Sequence, residues 1–173
     1  MKIRNIMLML CLLVIISTPI NAKASELQGN TISETTREGE PQIEMLTPEE
    51  AERIHKEIFQ NVDISSKSVL AMSSIGVSQG DGKIYVTYTT GSRQIADKVG
   101  VRNVTFQEKS GLFWKTLSVK SYYAENTDTY IGGFSMTNPI DGAQYRAECT
   151  HYVIVDGQET SRYNETLPHT YTP

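Results

Sequence analysis

From about residue 66 to the C-terminus, apolar and polar side chains alternate in short runs, each closed by a turn signal. A repeat of two belongs to a strand with one face in a core and the other in water. The runs lie at 69–77, 83–90, 102–108, 113–119, 130–136, 143–155 and 159–167. The turn signals are Gly80-Asp81-Gly82, Lys109-Ser110-Gly111, Asn126-Thr127-Asp128, Asn138-Pro139 with Asp141-Gly142, and Asp156-Gly157. The last suits a two-residue hairpin, whose central positions both need positive φ. Residues 95–98 are expected to make a single helical turn between the second and third runs. The pattern predicts an all-β domain over 66–173, with seven antiparallel strands folded as a sandwich.

Asp141-Gly142-Ala143-Gln144-Tyr145 has the D-x-A-x-Y spacing that opens the sixth strand of immunoglobulin-like domains. There the tyrosine hydroxyl bonds back to upstream backbone and pins a corner, so Asp141 and Tyr145 are the expected structural corner. This makes the predicted sandwich immunoglobulin- or fibronectin-III-like. Ala147 stands where such domains carry cysteine, and beyond residue 24 the only cysteine is Cys149. No disulfide can form within residues 25–173, so packing must hold the core. Ile84, Val86, Tyr88, Val104, Phe106 and Cys149 are expected in that core.

The residues before 66 do not share the alternation. Lys2 and Arg4 precede an apolar run from Ile6 to Ile16, and Ala22-Lys23-Ala24 follows. A charged start, a short apolar segment and an A-x-A exit predict a secretory signal peptide over 1–24. The run is shorter than the roughly 20 residues that cross a bilayer. Cys11 lies within it, but Met9 and Leu10 stand where lipid attachment needs small residues. The protein is therefore expected to be secreted, extracellular or associated with the cell surface, with no membrane anchor after signal removal.

Residues 25–46 are polar and poor in aromatics, and are expected to form a disordered acidic spacer. At 47–62 the texture changes. Thr47 can cap a helix, Pro48 fits its first position, and Glu50 completes a capping box. Ala51, Ile54 and Ile58 repeat at helical spacing, which predicts an amphipathic helix at 48–60.

Residues 25–65 hold ten acids against Arg37, Arg53 and Lys56, whereas 66–173 hold ten acids and ten bases. That balance supplies no basic footprint for nucleic acid, and none for an anionic membrane. The three histidines, His55, His151 and His169, stand apart from one another and from any cysteine cluster, so neither a metal site nor another cofactor is expected. Cys149 and His151 project to one side of a strand, but their flanking residues place that side in the core. No catalytic motif is present, and a non-enzymatic role is expected. Nine tyrosines are many for this length. Tyr85, Tyr122, Tyr123, Tyr152, Tyr163 and Tyr171 are expected outside the core. Of these, Tyr85, Tyr123 and Tyr152, with the single tryptophan Trp114, form the candidate binding surface, because aromatic rings with polar tips suit sugars and protein contacts.

Asp97-Lys98-Val99-Gly100, Gln107-Glu108-Lys109-Ser110-Gly111, Trp114-Lys115 and Gly142-Ala143-Gln144-Tyr145-Arg146-Ala147 give a further pointer. Together with the leader and spacer, they make the chain resemble a group of small secreted immunoglobulin-like proteins of Gram-positive bacteria. The resemblance covers roughly residues 69–171 and rests on turn and corner residues, so it implies fold and compartment and no chemistry. The expected function is binding of an extracellular protein or glycan. The alternative is an exported toxin or effector whose residues 25–65 are a removable pro-region.

Overall fold

The structure, a computed structural model, describes residues 25–26, 40–59 and 68–173. The expected signal peptide, most of the expected spacer and the end of the helical segment lie outside the described residues. Among those described, one helix and eight strands occur: β1 (Ser25–Glu26), β2 (Ile43–Met45), α1 (Pro48–Ile58), β3 (Leu70–Gly80), β4 (Lys83–Ser110), β5 (Phe113–Thr137), β6 (Gln144–Val155), β7 (Gln158–Glu165) and β8 (His169–Thr170). All eight strands join one antiparallel sheet in the order β1-β5-β4-β6-β7, with β2 on β5, β3 on β4 and β8 on β6.

Three expectations change here. The runs at 83–90 and 102–108 are parts of one strand, β4, and residues 95–98 continue it as extended chain. A helical turn would lift Ala96 away from the cluster of Leu70, Val99 and Val153, in which it is buried. Likewise 113–119 and 130–136 are both β5: Asn126 takes a positive φ of 54° and kinks the strand without reversing it. The acidic spacer also contributes two short strands, β1 and β2, to the sheet. Its residues can do this because edge pairing draws on backbone groups and asks little of side chains.

β4 and β5 are long enough to serve two layers. Residues 83–91 of β4 lie between β3 and the far end of β5, while 98–108 lie between β6 and the near end of β5. Between these halves the β4–β5 register jumps from Gly91 to Ala96, and the Thr90 hydroxyl donates to the Gly100 carbonyl at 3.0 Å. The ribbon thus bends back on itself, and side chains of its two halves meet in one core. Phe106 and Phe134, from opposite halves, meet edge to face with centroids 5.5 Å apart. Tyr88 and Tyr122 stack at 6.0 Å. Ile84, Val86, Tyr88, Val104, Phe106, Tyr145, Ala147 and Cys149 are all buried in this layer. Burial of each large side chain contributes about 1.5–3 kcal/mol, which accounts for a core without covalent staples. Tyr122 and Tyr171, expected outside it, are also buried. Tyr122 follows the inward face of β5, and Tyr171 is carried in by the bonds of the C-terminal segment to Gly142 and Ala143.

α1 lies on the outer face of the first half. Thr47 caps it: the Glu50 N–H donates to Thr47 Oγ1 and the Thr47 N–H to Glu50 Oε2. Ala51, Ile54 and His55 are buried against the sheet. The close approach is possible because Gly76 forms part of the floor; a Cβ there would meet Ile58 and Phe59 at 2.9 Å.

Candidate binding face

The outward face of the second half carries three of the four candidate residues, Trp114, Tyr123 and Tyr152. Residues directly opposite in antiparallel strands project to the same side. Tyr123 of β5 faces Gly100 of β4, which faces Tyr152 of β6. Two tyrosines thus flank a position with no side chain. Two residues along β4 in either direction stand Lys98 and Arg102, on the same face. The Lys98 ammonium lies 4.6 Å from the Tyr123 ring centroid and 3.6 Å from Glu125. The Arg102 guanidinium lies 5.5 Å from the Tyr152 ring and grips both oxygens of Glu159, at 3.0 and 2.7 Å. Burial, and next the neighbouring Tyr123, raise the Tyr152 hydroxyl above its usual range, so it stays a donor at neutral pH. Each ring is therefore clamped by a cation that is itself paired with a carboxylate.

Farther along, Arg146 of β6 lies 4.4 Å above the Trp114 ring and donates to Gln107 Oε1 at 2.7 Å. Tyr163 of β7, opposite Thr150, donates toward Glu148 and Glu165. Trp114, Tyr123 and Tyr152 thus share one face. Tyr85 does not: it lies on the other half of β4. There it lines a groove of about 470 Å³ between α1 and the β3–β4 hairpin, with Arg53, Glu57, Asp81 and His169. The expected binding set is three residues of one face and one of another.

At the corner, Tyr145 is fully buried, and its hydroxyl accepts the Ile140 N–H at 2.9 Å and donates to Glu108 at 3.2 Å. Asp141 is exposed in the adjoining turn, where Gly142 takes a φ of 73°.

Directly behind Gly100 runs a buried polar chain. Thr90 gives its hydroxyl hydrogen to Gly100, so its oxygen is left to accept from His151 Nδ1 at 2.8 Å. His151 Nε2 then accepts from the Cys149 thiol at 3.2 Å. Burial pushes the thiol up to about 12 and the imidazole down to about 4. The pair is held as thiol and neutral imidazole, the opposite of the thiolate–imidazolium state that nucleophilic catalysis uses. A second buried histidine, His55, fixes α1 through Ser74 and Thr87 and is likewise held neutral by burial. Among the described residues, no three side chains of His, Cys, Asp or Glu converge as a metal ion requires, and no helix is long and apolar enough to cross a membrane.

Alternation of side chains alone does not single out Gly100 or Thr90. The signal for Gly100 was present: an isolated glycine inside an alternating strand marks close backbone approach. Thr90 had none, since its partner is ten residues away across the fold. No family model, curated protein or solved structure matches this chain.

Proposed function

We propose that the protein is a secreted, non-enzymatic binding domain that engages an extracellular glycan or protein through the outer face of β5, β4, β6 and β7. The folded-over sheet would act as the immunoglobulin-like sandwich that the corner motif suggests, with the layers still joined through β4 and β5. The observation that carries the reading is the Tyr123–Gly100–Tyr152 row with its clamped rings. A glycan suits it better than a protein. Sugar C–H faces stack on aromatic rings, hydroxyls bond to the carboxylates and guanidinium beside them, and the paired charges leave little net field to attract a charged partner. The packing of β2 and α1 on the sheet weighs against a removable 25–65 segment, whose loss would uncover Gly76, Thr87 and the Gly133 backbone.

Retention on insoluble bacterial cell-wall polysaccharide tests the proposal. The Tyr123→Ala/Tyr152→Ala double variant should weaken retention about fivefold or more, at roughly 0.5–1.5 kcal/mol per ring. Tyr85→Ala, on the other half, should leave it unchanged. Equal retention by wild type and the double variant would remove this face from the account.

A further inference from the structure

The β4–β5 hairpin ends in an unusual crown. Gly111, at a φ of 61°, turns the chain, and the two residues after it are large, apolar and open to solvent: Leu112 is 93% exposed and Phe113 78%. Exposed apolar residues are ordinary when scattered, but two adjacent ones at a protruding tip mark a contact. The tip is also stiff. The β4–β5 ladder continues to the Ser110–Phe113 pair, and β6 braces it through Lys109 to Gln144 and Arg146 to Gln107. Cations flank the crown on both strands, with exposed Lys109 on β4 and exposed Lys115 on β5, and Arg146 beside them over Trp114. Within residues 107–116 the one acid is Glu108, which accepts from the Tyr145 hydroxyl.

We propose that this tip is a membrane-contact site, inserting Leu112 and Phe113 into the interface of a bilayer that carries anionic lipid. A convex apolar crown above a collar of cations matches such a surface in both shape and charge. The apolar side chains enter the acyl boundary, and the ammonium groups stop at headgroup level. Trp114, half-buried just behind the crown, sits where an indole is favoured at the interface. A protein pocket could also receive the crown, but it would not call for the collar. The even charge balance of residues 66–173 conceals this local asymmetry. The contact is separate from the Tyr123–Tyr152 row and does not depend on it.

Trp114 is the only tryptophan, so its emission reports the tip alone, whatever else in the chain touches lipid. The full chain is titrated with vesicles of phosphatidylcholine containing about one-third phosphatidylglycerol, and with pure phosphatidylcholine. The emission should move to shorter wavelength with the anionic vesicles, and brominated acyl chains should quench it. Leu112→Ser/Phe113→Ser should weaken the response about a hundredfold, near tenfold per side chain. Lys109→Gln/Lys115→Gln should erase most of the preference for anionic lipid, about tenfold, as should raised salt. Circular dichroism should show both variants folded, since the altered side chains face solvent. No spectral change with anionic vesicles, an equal change in the Leu112/Phe113 variant, or no preference between the two lipids would each overturn the proposal.

Discussion

Replacing Gly100 by alanine tests how closely β4 and β5 approach behind the proposed binding face. A Cβ at this position would lie 2.2 Å from the Tyr122 carbonyl oxygen and 2.7 Å from both Cα and Cβ of Tyr123. Ordinary carbon–oxygen contacts begin at about 3.3 Å, so β4 and β5 must part by about 1 Å. None of the atoms met is the far end of a flexible side chain. Overpacking of this kind costs about 1–3 kcal/mol, and one or two weakened ladder bonds add about 1 kcal/mol each. Gly100→Ala should therefore destabilise by about 3–4 kcal/mol, a drop in Tm of roughly 10–15 °C. Gly157→Ala separates space from conformation: its Cβ meets nothing within 4 Å, but its φ is +71°. It should cost only the left-handed penalty, about 1 kcal/mol. Urea unfolding followed by far-ultraviolet circular dichroism measures both. A Gly100→Ala protein within about 0.5 kcal/mol of wild type, or a larger loss at Gly157, would refute the argument.

Tyr145→Phe removes the hydroxyl that joins Ile140 to Glu108, and urea titration should show a loss of about 1–2 kcal/mol without a change of fold. His55 and His151 are held near 4 in the folded protein but titrate near 6.5 when unfolded, so between those values the unfolded chain binds protons that the native state refuses. Stability should be full above about pH 7 and fall as pH drops through 6.5 toward 4, by on the order of 3 kcal/mol per histidine. Melting temperatures across that range check this, and His55→Gln should flatten the slope. Cys149, buried and with its thiol pushed up to about 12, should resist a thiol reagent at pH 8 in the native protein and react within the unfolding transition.

The period of the strands, the capped helix and the Asp156-Gly157 hairpin were legible because each is written in neighbouring residues. Both Asp156 and Gly157 take positive φ, as that turn demands. The merging of four runs into β4 and β5 was not legible, because Asn126 reads as a chain reversal and residues 95–98 as a helical turn, when both lie within continuous strands. Whether a turn residue reverses a strand or only kinks it depends on which partners lie ahead, and that is a long-range matter. The same limit divided the candidate surface. Alternation places Tyr85 and Tyr123 outside the core, yet only the fold-over of β4 shows that they belong to different halves. Alternation likewise leaves Tyr122 and Tyr171 outside the core, whereas each is buried by contacts distant in sequence.

The Tyr123–Gly100–Tyr152 row is proposed to receive the ligand. Amide shift mapping by nuclear magnetic resonance, with solubilised cell-wall polysaccharide added to the labelled protein, tests it most directly. Shifts should gather at 98–102, 121–125 and 150–154, and spare the groove of Tyr85 and His169. Perturbations confined to that groove, or none at saturating polysaccharide, would contradict the account.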